Sequence, residues 1–198
     1  MRDWARSVLS DPATALAAAV LVAGAVLAAR PLARWRRWPA LPTLGLLLAA
    51  ATVVVLTQLP APGHPVLGPD LGELQACARS LTSPRLLWTD GLLSTANRGE
   101  RIGNIAMFVP LTLFAVVMTR RPLPVTAVGV LLPAAVEAAQ ALAGAGRTCA
   151  GFDWVNNAIG ALLGVLLGLA ALRLARRRTT APAGAAASQE GSPVGSEF

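Results

Sequence analysis

Lysine and tyrosine do not occur in this 198-residue chain, and histidine occurs once. All seventeen basic residues are therefore Arg, a bias we read as coding composition in a GC-rich genome rather than as chemistry. Charged residues make up only 14% of the chain, against about 25% in a soluble globular domain. With 55% hydrophobic residues and a mean hydropathy of +0.58, the composition is that of a membrane protein. Metal-ligating side chains are scarce as well. His64 stands alone between Gly63 and Pro65, and Cys77 and Cys149 are far apart, so no zinc or iron spacing exists and no metal site is expected. A Gly-rich phosphate loop and a Gly-x-Ser-x-Gly elbow are both missing, and no cofactor is expected.

The net charge of +7 does not point to nucleic acid. The Arg residues gather at the ends of apolar runs, which is the pattern of topology signals rather than of a phosphate-binding face. Five runs are long enough to cross about 30 Å of hydrocarbon. They are Pro12–Ala29, Leu41–Leu59, Ile102–Met118, Val125–Ala143 and Asp153–Leu172. The expected fold is all-α, a polytopic membrane helix bundle with the lipid bilayer as its principal partner. Residues 1–40 hold the first span and a basic loop, 41–175 the membrane core with an outer loop at 60–101, and 176–198 a disordered cytoplasmic tail without periodicity.

Arg30, Arg34, Arg36 and Arg37 follow the first span, Arg120 and Arg121 the third, and Arg173, Arg176, Arg177 and Arg178 the fifth. If all five runs span, these fall on one side, and the positive-inside rule puts the N-terminus outside and the C-terminus in the cytoplasm of a bacterial cell. The first run is read as a retained span, because Arg30-Pro31 and three more Arg stand where translocation of a cleaved signal would begin. Trp35 and Trp38 mark the inner interface on this reading, Trp4 and Trp154 the outer one. In the outer loop, Leu67, Leu71, Leu74, Ala78 and Leu81 recur with helical spacing, and Pro69 suits a first turn. A short amphipathic helix is expected there, lying on the leaflet or capping the bundle. Cys77 and Cys149 share the outer side, where disulfides persist. Spacing leaves open whether they form a bridge or remain two buried thiols.

Glu137 and Gln140 lie within the fourth span, one helical turn apart and on one face. An ionisable carboxylate at membrane depth costs several kcal/mol unless it faces protein or water, so it marks a candidate site. The third span carries Asn104 near its outer end, the connection 144–152 carries Arg147, and the fifth span places Asp153, Asn157, Gly160 and Gly164 on one face. Asn156 is read as pointing elsewhere, and Arg98, Glu100 and Arg101 as rim residues. The Gly stripe, continued by Gly168, lets a neighbouring helix approach closely. Such a convergence is either a satisfied polar network that fixes helix register or an outward-facing site for a polar ligand. Two carboxylates, an Arg and three amides favour the ligand site.

Three motifs in this order resemble the VanZ-like family of integral membrane proteins: Asn104-x3-Phe108-x-Pro110-Leu111, Glu137-x2-Gln140, and Arg147-x5-Asp153-x3-Asn157-x2-Gly160-x3-Gly164. The resemblance covers roughly residues 45–175. It implies a bacterial plasma-membrane protein with a role in resistance to lipoglycopeptides of the teicoplanin type. On this reading Asn104, Glu137, Gln140, Arg147, Asp153 and Asn157 bind a cell-wall lipid, a precursor or the lipoglycopeptide, while Phe108, Pro110, Gly160 and Gly164 pack helices. An intramembrane enzyme using Glu137 and Asp153 as acid and base is the alternative. It lacks a visible nucleophile, and Thr148 has nothing to deprotonate it. A proton-coupled transporter lacks an inverted repeat, although a homodimer through the Gly stripe would strengthen that reading.

Overall fold

The computed structural model describes residues 11–59, 71–87, 98–143 and 149–180. Trp4, His64, Leu67, Pro69, Arg147, Thr148 and the segment 181–198 lie outside the described residues. The described part is all-helical: α1 (Pro12–Arg36), α2 (Ala40–Gln58), α3 (Leu71–Thr82), the single turn α4 (Pro84–Leu87), α5 (Arg98–Thr119), α6 (Pro122–Ala143) and α7 (Gly151–Thr180). Helices α1, α2, α5, α6 and α7 are each long and apolar enough to cross a membrane, as hydropathy predicts.

The helices overrun the apolar segments at several ends, because backbone hydrogen bonding continues where hydrocarbon stops. Arg30 to Arg36, assigned from sequence to a basic loop, are the last turns of α1. Residues 176–180, assigned to the tail, complete α7. Asp11 starts α1 as its N-cap, accepting the Thr14 amide at 2.9 Å and the Thr14 hydroxyl at 2.5 Å, with Pro12 at the first helical position. Arg37 ends it in the left-handed region at φ 55°, a conformation that costs a non-glycine residue about 1 kcal/mol. The Trp38 amide then reaches back to the Ala33 carbonyl at 2.9 Å, satisfying an orphan helix-end acceptor. The Arg36 guanidinium lies 5.4 Å from the Trp35 ring and 4.9 Å from the Trp38 ring, so charge and aromatics share this end.

Among the described elements α1 touches α2 alone, through the buried small residues Ala25, Ala29 and Ala33. Leu16, Val20 and Leu27 face outward, as expected of a peripheral helix in lipid. The tightest association joins α5 and α7, which run parallel. Asn104 meets Asp153 at one end, and Val116 lies 2.8 Å from where a Gly168 Cβ would sit at the other. Between them, a Cβ on Gly160 would collide with the Ile105 carbonyl, and one on Gly164 with Thr112 Oγ1 and the Val109 carbonyl. Thr112 adds a hydrogen bond to the Ala161 carbonyl at 2.8 Å, worth about 0.6 kcal/mol in membrane bundles. The Gly stripe is thus covered within one chain by α5, which removes the surface that a stripe-mediated homodimer would need.

Ala49 and Val53 of α2, Met107, Phe108 and Leu111 of α5, and Ala161 of α7 form the central apolar cluster. Phe108 is fully buried there. Pro110 and Pro133 sit inside α5 and α6. Pro133 has no amide to give the Gly129 carbonyl. One residue on, the Val130 carbonyl accepts the Trp154 indole N–H at 2.9 Å. Trp154 is therefore a half-buried packing residue between α6 and α7, tied down at its polar tip.

Candidate functional site

The site is built on the N-terminus of α7. The first amides of any helix lack partners inside it, and here neighbouring elements supply them. The Ala150 amide donates to Glu137 Oε2 of α6 at 3.1 Å. The Gly151 amide donates to Ser80 Oγ of α3 at 2.7 Å. A carboxylate in this place also meets the positive end of the helix dipole. Glu137 is only 3% exposed, so its solvation comes from protein groups rather than bulk water.

Helix α3 reaches this point through a covalent tie. Cys77 and Cys149 are disulfide-bonded, with their Cα atoms 5.0 Å apart. Cys77 is the fully buried residue of the amphipathic helix, with Leu74, Ser80 and Leu81 half-buried. The bond fixes α3 over the C-terminal end of α6 and the N-terminal end of α7, and Ser80, three residues on, lands on the Gly151 amide. A Cβ on Gly151 would strike the Ser80 carbonyl and approach Leu87 Cδ2 at 2.8 Å, so α7 begins with glycine for lack of space.

One turn into α7, Asp153 Oδ1 accepts a short hydrogen bond from Asn104 Nδ2 of α5. Asp153 and Glu137 each take part in a further interaction. Asn157 is 2% exposed, and its Oδ1 has no hydrogen-bond partner among the described residues. Gln140 turns a different way: its Nε2 donates to the Thr57 carbonyl of α2 at 2.6 Å. That carbonyl belongs to the last turn of α2, where acceptors are orphaned. Gln140 therefore holds the α2–α6 contact, helped by Gln58 Nε2 at 3.5 Å from the Val136 carbonyl. Of the six candidates, Asn104, Glu137, Asp153 and Asn157 gather on the first turns of α7 or their cap, Gln140 adjoins them from the α2 side, and Arg147 lies outside the described residues.

A profile of the VanZ/LLP1 family matches residues 44–173, about two thirds of the chain. The chain belongs to the VanZ/LLP1 family. No curated protein and no solved structure matches it significantly. The family region begins inside α2 and ends inside α7, so it contains every residue of the site and leaves α1 outside.

Within this VanZ/LLP1 core, two contributors escape the motif reading. Ser80 lies in a loop helix whose exposed face gives no hint of a polar contact. Asn156, read from sequence as incidental, is 1% exposed, and neither end of its amide has a partner among the described residues. The spacing does contain the signal: Asn156 is i+3 from Asp153 and i−4 from Gly160, which keeps it on the flank of the packed face. Among the described residues no group of three or more His, Cys, Asp or Glu forms a metal-binding set.

Proposed function

We propose that this VanZ/LLP1 protein acts in the bacterial plasma membrane with its N-terminus outside and its C-terminus in the cytoplasm, and binds a cell-envelope ligand at the N-terminal end of α7. The ligand is a cell-wall lipid, a precursor or a lipoglycopeptide, and the resulting phenotype is teicoplanin-type resistance. The observation that carries the reading is the convergence of α3, α5 and α6 on that helix end. They bring the Glu137 carboxylate, the Ser80 hydroxyl and the Asn104 amide to the Asp153, Asn156 and Asn157 side chains of α7, and both Asn amides of α7 keep atoms without a hydrogen-bond partner among the described residues. Buried polar atoms without partners are rare in folded proteins, and a site that receives polar groups from elsewhere explains them. Arg147, between the two carboxylates in sequence, would supply the cation for an anionic group of that ligand.

The Arg clusters at the C-terminal ends of α1, α5 and α7 support this orientation. The disulfide is in keeping with an oxidising compartment at the opposite end. The test is teicoplanin and vancomycin susceptibility of a sensitive Gram-positive host producing the protein, beside Glu137→Gln at equal membrane abundance. Protection selective for teicoplanin and lost in Glu137→Gln is the expected outcome. Full sensitivity despite abundant wild-type protein removes the antibiotic from the function.

A further inference from the structure

Asn156 presents a donor and an acceptor that are both buried and both without a partner among the described residues. Turning the amide over changes nothing, since either way one N–H₂ and one C=O remain unmet. Beside it, Asn157 adds an unpartnered Oδ1 at 2% exposure. Each group left unmet forfeits its solvation without return, a loss that a membrane protein has no reason to retain where Leu would fit. The demand is also chemically selective. Phosphate oxygens at neutral pH mainly accept, and an ammonium only donates, so neither alone satisfies Asn156. A trans amide points its N–H and C=O in opposite directions, so one Asn cannot pair with both. Adjacent hydroxyl groups can, because each donates and accepts from the same side.

We propose that the Asn156–Asn157 pair reads the hydroxyl groups of a lipid headgroup, a glycosyl or glycerol moiety, beside the Asn104–Asp153 hydrogen bond. This deepens the envelope-ligand reading above, on which it rests, by naming the chemistry recognised.

The test uses full-length protein in nanodiscs of phosphatidylethanolamine alone, or doped with phosphatidylglycerol, monoglucosyl-diacylglycerol or phosphatidic acid. Thermal midpoints and lipids retained in native mass spectra are read for wild type, Asn156→Leu and Asn156→Ser. The expected result is a raised midpoint and retained lipid with the glucosyl or the glycerol lipid, whichever is the source, and no rise with phosphatidic acid. Both variants should need about tenfold more of that lipid for the same rise, the loss expected from one or two hydrogen bonds. In phosphatidylethanolamine alone, Asn156→Leu should melt no lower than wild type, because it removes an unmet amide. The proposal is overturned if no hydroxylated lipid raises the wild-type midpoint, if phosphatidic acid does so equally, or if both variants respond as wild type does. A lower midpoint for Asn156→Leu in phosphatidylethanolamine alone also overturns it, because the amide then has a partner. Drug protection without a lipid response sinks only the headgroup assignment. A lipid response without drug protection sinks only the resistance role.

Discussion

The Glu137 carboxylate accepts the Ala150 amide at 3.1 Å, so the acid of one membrane helix caps the start of the next. A candidate ligand contact therefore also holds α7 in place. Substitutions at Glu137 have to be read with both roles in mind. Asn156, whose amide makes no hydrogen bond among the described residues, separates binding from architecture more cleanly.

Replacing Glu137 by Gln keeps an acceptor for Ala150 but removes the carboxyl group that meets the positive end of the helix dipole, at a cost of about 0.3–2 kcal/mol. Glu137→Ala removes the hydrogen bond too, adding about 0.5–1.5 kcal/mol. Thermal unfolding in one detergent should rank wild type above Gln and Gln above Ala. Equal midpoints for all three would show that Glu137 does not brace α7.

The disulfide closes a loop with a sequence separation of 72. Chain-entropy arguments give such a loop about 4 kcal/mol at most, and less where the unfolded reference stays in the bilayer. Reductant should lower the wild-type midpoint and slow its migration on denaturing gels. Cys77→Ser should start from the lower midpoint and ignore reductant. A wild type indifferent to reductant, once thiol labelling confirms that the bond is broken, argues that α3 is held by packing alone.

Gly160→Ala and Gly164→Ala place a methyl group where backbone carbonyls already lie. Overpacking of this kind costs about 1–3 kcal/mol, so both midpoints should fall. Gly24→Ala is the matched control, because nothing lies within 4 Å of where its Cβ would sit, and Ala is favoured in helices by about 1 kcal/mol. It should leave the midpoint unchanged or raise it. A destabilised Gly24→Ala beside neutral changes at Gly160 and Gly164 contradicts the α5–α7 packing.

Asp11 is held below its ordinary carboxylate pKa, chiefly by the Thr14 hydroxyl and then by the Thr14 amide. A depressed folded-state pKa stabilises above the unfolded value and loses that contribution as pH falls through the folded one. The N-terminal turn of α1 should fray as pH falls below 3.8, the ordinary value for this group. Amide exchange at Thr14 reads this directly. Asp11→Asn, which keeps an N-cap acceptor but cannot titrate, should remove the pH dependence.

The polar groups differ in how far sequence spacing could take them. That Asp153, Asn157, Gly160 and Gly164 share a face follows from 3.6 residues per turn. That α5 covers this face, with Asn104 on Asp153 and Ile105 against Gly160, does not. Gln140 shows the limit well. It lies one turn from Glu137, yet its amide serves α2 through the Thr57 carbonyl, because a long side chain can reach either neighbour and spacing does not choose. The offset of Asn156 from Gly160 places it on the flank of the packed face, but that its amide has no partner among the described residues appears only in the tertiary structure.

Hydropathy and helical periodicity were sufficient by themselves to determine the class of this protein, its five apolar spans and the faces its polar residues occupy. These are local properties, set by hydrocarbon thickness and by the rise and turn of one helix. Only the tertiary structure decided which helices meet, that Cys77 bonds Cys149, that the Gly stripe is filled within one chain, and which amides find partners. Those outcomes depend on side chains far apart in sequence competing for the same few ångströms, and no single segment contains that competition.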